Sequence, residues 1–216
     1  MTGVTALVLA GQRRGTDPMA AAAGVSHKAL LPVAGVPMLL RVVSALRSTP
    51  GIARIVVSIE EPARVLAGLE GLEGAILRAA APGPAMSAAA AFEEFGAPLL
   101  VTTADHALLT PAMVAHLLRE APGRASAVAA LARRDTILAE FPETRRTWLR
   151  FRDGDFSGCN LFLLARPEAI RVLRFWQRLE QQRKRPTAMA RMLGPIVLLR
   201  YALGWMTLRA GLDALG

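Results

Sequence analysis

Apolar and polar positions along the first two thirds of the chain fall in blocks that switch between a strand period and a helix period. Val4 to Leu9 is a short, nearly unbroken apolar run that soon meets a glycine, the pattern of a fully buried strand. Met38 to Arg47 puts its apolar residues on one helical face, with Pro37 at its start. Ile52 to Ile59 predicts a second strand, Pro62 to Leu69 a short helix, and Gly74 to Ala79 a third strand before the Pro82-Gly83-Pro84 turn. Met86 to Phe95 predicts a helix, Pro98 to Thr103 a buried strand, Pro111 to Glu120 a helix and Ser126 to Leu131 a strand. Such alternation predicts an α/β architecture around a mostly parallel sheet.

The pattern changes after Leu131. Arg133 to Arg146 is polar and irregular and predicts a loop. Trp148 to Arg152 and Asn160 to Leu164 read as strands about an Asp153-Gly154-Asp155 turn. From Pro167 onward the expectation is helix, over 167–183, 187–193 and 195–215, the last with breaks allowed. The division expected is therefore an α/β domain over residues 1–166 and a helical C-terminal segment over 167–216 packed on it. Wound as one helix, Gly194 to Gly211 sets Arg200, Gly204, Thr207 and Gly211 on a narrow polar stripe, the remainder being apolar. A helix of that kind packs in a core, against a second copy in a homodimer, or on a membrane surface. Arg183, Lys184, Arg185 and Arg191 just upstream favour anionic lipid in the last case.

Composition narrows the class. With 216 residues, 53% of them apolar, the chain buries a full core and is not a disordered one. No apolar run reaches the roughly 20 residues of a spanning helix. Arg13 and Arg14 follow the first apolar segment instead of preceding it, unlike a secretory signal. The single cysteine, Cys159, excludes an internal disulfide and fits a reducing cytoplasm. It has no evident partner base, so it reads as a buried small residue and not as a nucleophile. A net charge of +9 implies an anionic partner, such as a nucleotide, a phosphorylated metabolite or an acidic membrane surface, although an arginine-rich composition also produces it. Nucleic acid is disfavoured, because aromatics are only 5% of residues and no nucleic-acid-binding motif is present.

Two places carry candidate chemistry. After the first strand, Ala10-Gly11-Gln12-Arg13-Arg14-Gly15 joins a close-approach glycine to fixed cations, and Lys28 lies beyond it. Lys28 and Lys184 are the only two lysines among 26 basic residues, so a lysine at the end of this loop points to a site that takes a compact ammonium. The same residues also make an ordinary βα turn with solvated arginines. The second place is Thr102-Thr103-Ala104-Asp105-His106, where a carboxylate follows a buried strand. Open α/β sheets bind ligands at those strand ends. Asp105 there suits Mg²⁺ beside a polyphosphate, or is a turn or capping aspartate. His106 is read as a turn residue. A Gly-x-Gly-x-x-Gly dinucleotide site and a P-loop are both disfavoured by spacing.

Leu9-Ala10-Gly11-Gln12, the Arg14-Gly15 pair, Lys28, Pro32 and Gly35-x-Pro37 resemble the signature L-A-G-G-x-S-x-R-M-G-x-x-K-x-L-x-P-x-x-G-x-P of MobA-like NTP transferases. Gly83 and Ser87 are similar to the family's Gly-x-x-x-Ser segment near the base, and Asp105 to its metal-binding aspartate. Ser157-Gly158-Cys159-Asn160 resembles its later Gly/Asn turn facing the acceptor. The resemblance spans residues 4–165. It implies a three-layer α/β/α sandwich of the GT-A, nucleotide-diphospho-sugar transferase type. It also implies Mg²⁺-dependent transfer of an NMP from an NTP, CTP or GTP, to a phosphorylated small-molecule acceptor, with pyrophosphate released. On that basis Lys28, Arg14 and Asp105 are the catalytic set, with Asp105 on Mg²⁺. Ala10, Gly11, Gln12, Arg13, Gly83 and Ser87 surround the nucleotide, the Gly11 and Gln12 amides on its phosphates, and Gly158 and Asn160 lie on the acceptor side. Gln12 stands where the signature has a second glycine, and the stretch from Gly15 to Lys28 is longer. A final strand with a second metal aspartate is not read here; Asp153 and Asp155 are its substitutes, or simply a hairpin turn. These departures leave two alternatives, a catalytically silent nucleotide-binding relative and a membrane-peripheral protein that uses the basic apolar tail.

Overall fold

The structure is a computed structural model that describes residues 3–12, 15, 17–182 and 194–213. Arg13, Arg14, Lys184 and the helix expected over 187–193 lie outside the described residues.

Strand β1 (Val4–Leu9) forms because its side chains are covered on both faces; Ala6, Leu7 and Val8 have no exposed surface. It runs parallel to β4 (Ile52–Ile59) on one side and to β6 (Leu99–Thr103) on the other. β5 (Ile76–Ala79) extends the parallel set beyond β4. β9 (Gly154–Leu164) then adds antiparallel to β6, pairing Thr102 with Leu161 and Leu99 with Leu164. The mixed, mostly parallel sheet has seven strands: six in the order β5-β4-β1-β6-β9-β7, with β7 (Ala127–Arg133) at the end, and β8 (Leu149–Phe151) paired to β9 off that path.

Helices cover this sheet. Short α1 (Pro18–Ala22) starts on an Asp17 cap, its Oδ1 accepting from the Met19 and Ala20 amides. α2 (Met38–Arg47) packs on β1 and β4, burying Leu39, Val42, Val43 and Leu46. α3 (Pro62–Val65) follows β4 and α5 (Pro111–Glu120) follows β6. α4 (Pro84–Phe95) supplies Ala88, Ala89, Ala91 and Phe92 to a core that also holds Leu7, Val56, Leu99 and Val101. α7 (Ile170–Gln182) adds Leu173 and Trp176 to that same core. A small hairpin of β2 (Pro32–Val33) and β3 (Val36–Pro37) lies between Lys28 and α2.

By its contacts the chain divides into two compact units, Met1–Ala129 with Asn160–Gln177, and Ala130–Cys159 with Arg178–Gly216. In the second unit α6 (Arg134–Glu140) occupies half of the stretch expected as a loop. Its Ile137-Leu138-Ala139 segment gives it a helix-forming interior, and Asp135 sits favourably in its first turn. Still within that unit, the β8–β9 hairpin pairs Leu149 with Phe156, and Phe151 packs edge-on against Phe156 and Tyr201. The tail is not one helix. α8 (Pro195–Ala202) ends at Leu203-Gly204, where Gly204 takes φ 69°, and α9 (Leu208–Asp213) starts separately. The continuous polar stripe expected over 194–211 therefore does not form. No described helix is long and apolar enough to cross a membrane.

Candidate active site

Four parallel strands end together and set the site. Ala10 donates its N–H to Ser58 O at 2.8 Å, Ala104 donates to Leu9 O at 2.9 Å, and Ala80 donates to Ile59 O at 2.9 Å. These bonds hold the segments after β1, β4, β5 and β6 at one edge of the sheet, the carboxyl end where open α/β sheets take ligands. The segments carry Gly11 and Gln12, Glu60, Ala80 to Pro82, and Asp105 respectively.

Lys28, on a 3₁₀ turn over Lys28–Leu30, reaches across 77 positions of sequence to Asp105, with Nζ 2.8 Å from Oδ2. Thr103 Oγ1 donates to the other oxygen, Oδ1, at 2.6 Å. Burial pushes the Asp105 carboxyl up, but the Lys28 hydrogen bond, the Thr103 hydroxyl and the Lys28 charge together outweigh it, so it sits below the usual carboxylate range. Arg41 on α2 braces both sides of this pair. Its Nε donates to Ala107 O, on the Asp105 loop, and one terminal nitrogen donates to Val33 O, on the Lys28 segment, each at 3.2 Å.

A second feature adjoins the β1 turn. Both Glu60 oxygens accept from the Gln12 N–H, at 3.1 and 3.2 Å, and Oε2 lies 3.5 Å from Nε2 of the buried His27. A Cβ on Gly11 would stand 2.9 Å from Glu60 Oε1 and 3.1 Å from the Ala80 Cβ, so the absence of a side chain is what admits this contact. An open cavity of about 440 Å³ lies here, lined by Gln12, Gly15, His27, Glu60, the Glu61–Arg64 pair and Ala80-Ala81-Pro82. Ser87, buried at the start of α4, accepts the Ala81 N–H on its Oγ at 2.9 Å and so fixes the cavity wall from behind.

The MobA-like NTP transferase domain family matches residues 6–195. The chain belongs to that family. No curated protein gives a significant match. Among solved structures, a hypothetical transferase from Thermus thermophilus is 33% identical, with a TM-score of 0.85 over 98% of this chain and 87% of that one. A nucleotidyl transferase from Methanothermobacter thermautotrophicus is 22% identical, with a TM-score of 0.54 over 84% of each chain. A CMP:2-keto-3-deoxy-manno-octonic acid synthetase complexed with CTP is 17% identical, with a TM-score of 0.55 over 81% of this chain and 78% of that one. The last two are likenesses of fold. The sheet is that of the nucleotide-diphospho-sugar transferases, and the domain is a nucleotidyltransferase domain.

Within the MobA-like domain, Ala10, Gly11, Gln12, Lys28, Asp105, Gly83 and Ser87 all fall around the carboxyl edge of the sheet or the cavity wall. Gly83 caps α4 through its carbonyl, which accepts the Ser87 N–H at 3.0 Å. The Gln12 N–H, expected on a phosphate, is directed to Glu60 instead. The Gln12 side chain turns toward Ser26, its Nε2 donating to Ser26 O at 3.2 Å, and its Oε1 is buried without a hydrogen-bond partner.

Ser157 to Asn160 is not a turn. It lies inside β9, because pairing with β8 at one end and β6 at the other carries the strand straight through it. Asn160 marks its place with φ 49°, and its carbonyl accepts from Thr102 Oγ1 at 2.9 Å, next to the β6 end that leads to Asp105. Gly158 belongs to the second unit. Cys159 is only partly buried; burial raises its thiol pKa against the opposing charge of Arg146. Asp153 and Asp155 have local roles in the second unit. Asp153 Oδ1 accepts the Leu208 N–H at 2.9 Å and Asp155 lies 3.6 Å from Arg134. Among the described residues no three His, Cys, Asp or Glu side chains gather to hold a metal.

Glu60, His27 and Arg41 escaped the sequence reading. Glu60 had a usable signal, since it directly follows an apolar strand as Asp105 nearly does. Arg41 had none, because a helix arginine shows nothing of the two carbonyls that it reaches.

Proposed function

We propose that this protein transfers an NMP from an NTP to a phosphorylated small-molecule acceptor, with release of pyrophosphate. The single observation that carries the reading is the 2.8 Å contact of Lys28 Nζ with Asp105 Oδ2 at the strand ends that also bear the Gly11 turn. A triphosphate laid along that edge meets an ammonium and a close-approach glycine. Arg14, outside the described residues, belongs with them by its place in the signature.

In the transfer, an oxygen of the acceptor phosphate forms a bond to the α-phosphorus as the bond from that phosphorus to the β-bridging oxygen breaks. Pyrophosphate leaves with the electron pair. The acceptor oxygen is already anionic, so no side chain has to remove a proton from it. What the chain supplies is alignment and neutralisation of the charge that grows on the leaving group, a task for Lys28 and Arg14. Asp105 fits a Mg²⁺ ion: it is a half-exposed carboxylate that already binds a cation, the Lys28 ammonium, and one carboxylate with phosphate oxygens suffices for this metal. When bound, Mg²⁺ neutralises phosphate charge. Asn160, beside the same strand end, is the residue this reading assigns to the acceptor side.

The commitment of the Gln12 N–H to Glu60 favours one second reading, a nucleotide-binding relative without turnover. Pyrophosphate assay separates the two. Incubation with each NTP, Mg²⁺ and a panel of phosphorylated alcohols and sugars releases pyrophosphate in step with acceptor consumption if transfer is the function. A nucleotide-dependent rise in melting temperature with no pyrophosphate from any acceptor supports the silent relative.

A further inference from the structure

Lys28 and Asp105 stand on separate segments of chain, and α2 holds both. On the Lys28 segment, Leu31 O accepts the Met38 N–H, at the start of α2, at 2.9 Å, and Val33 O accepts from a terminal nitrogen of Arg41 at 3.2 Å. On the Asp105 segment, Ala107 O accepts from Arg41 Nε, also at 3.2 Å. One guanidinium therefore bridges the two segments that carry the pair. The helix behind it is well anchored, with Leu39, Val42 and Val43 fully buried. An apolar side chain would fill this partly buried position without taking a charge out of water. Among the described residues no carboxylate lies within 4 Å of Arg41 to offset that desolvation. What arginine supplies is a planar fork whose Nε–H and terminal N–H point in fixed, different directions. Lysine keeps the charge, but its single ammonium on a flexible stem sets no such separation.

We propose that Arg41 is a positioning residue for nucleotidyl transfer, setting the separation of Lys28 and Asp105 through the two carbonyls that it joins. The inference rests on the NTP-transfer reading above. In that reading Lys28 neutralises charge on the leaving pyrophosphate while Asp105 serves the same triphosphate, so both must stand in register with it. Lys28 sits on a single 3₁₀ turn and Asp105 in the loop after β6, and neither short segment holds its own place as a long helix would. A misplacement of about 1 Å far from the chemistry can cost on the order of 100-fold in rate. Arg41 acts through the main chain behind the pair. Its loss therefore slows the chemical step more than it weakens the binding of nucleotide.

Arg41→Lys and Arg41→Met in the full chain test this by two readouts. One is pyrophosphate release at varied NTP with the phosphorylated alcohols and sugars named above; the other is amide hydrogen exchange without nucleotide. In both variants kcat falls by at least about tenfold while the KM for NTP stays within about threefold. Exchange quickens over residues 28–33 and 103–109 and is unchanged in β1. Wild-type kcat in a folded Arg41→Lys overturns the inference, because charge alone would then suffice. So does a KM that rises as much as kcat falls, unchanged exchange in either segment, or exchange that quickens equally in β1. If neither variant folds, the Arg41 Nε–H of the wild-type chain decides by NMR: slow exchange with solvent supports the bridge and free exchange overturns it. Absence of pyrophosphate from every acceptor on the wild-type chain overturns nucleotidyl transfer, and the exchange readout still judges whether Arg41 holds the two segments.

Discussion

Asp105 is pulled in two directions by its surroundings. Burial favours its neutral form, while the Lys28 ammonium and the Thr103 hydroxyl favour the charged one and prevail. A carboxyl whose pKa is lower in the folded chain than in the unfolded one contributes stability above the unfolded value and loses it as pH falls through the folded value. The Lys28–Asp105 contact is therefore present at neutral pH and given up only in acid. Replacing Lys28 by Met removes the favourable charge and leaves the burial. Following the Asp105 carboxyl carbon by NMR, the expected result is a titration below the usual carboxylate range in the wild type and a clear upward move in Lys28→Met. An unchanged midpoint would show that the pair is not what lowers it. Of these site residues, Lys28 was legible because lysine is so rare here, and Asp105 because it stands just past a buried strand. Their contact was not legible, since nothing local ties positions 77 apart.

At the scale of elements, Gly35 of the family signature has a mechanical meaning. Val33 pairs with Val36, leaving Ala34 and Gly35 as the two central residues of the β2–β3 turn, with φ 51° and 78°. Two positive φ values are what the mirror-image hairpin turns demand, and they suit the twist of the flanking strands. Gly35 adopts this freely, whereas Ala34 is strained. Ala34→Gly is expected to stabilise the protein by about 0.5 kcal/mol, the left-handed cost outweighing the added freedom of glycine in the unfolded chain. Urea unfolding would read this as a higher midpoint at unchanged slope. The long periodic elements were read closely from sequence, α2 and α5 to the residue. The hairpin was missed because two-residue strands carry no period. The Ser157–Asn160 segment misled because its glycine and asparagine are turn formers locally, yet strand pairing on both sides overrides that preference.

At the scale of the whole molecule, the alternation of strand and helix was enough to give the sheet, and the signature enough to orient it. The C-terminal third was less legible. α7 reads as the start of a helical tail, yet Leu173 and Trp176 belong to the core of the first unit. Amphipathic periodicity reveals that a face is buried and not what buries it. The same holds for α8 and α9, whose separation at Leu203-Gly204 left no mark on the hydropathy of the segment. Nucleotidyl transfer by this chain requires the carboxyl edge of the sheet to act as a single phosphate-handling centre. Its most direct test is the rate of NTP-dependent pyrophosphate release in Lys28→Ala and Asp105→Ala against the wild-type chain. Both variants are expected to melt as cooperatively as the wild type and to lose at least about 100-fold in rate. Wild-type turnover in either folded variant would contradict the account.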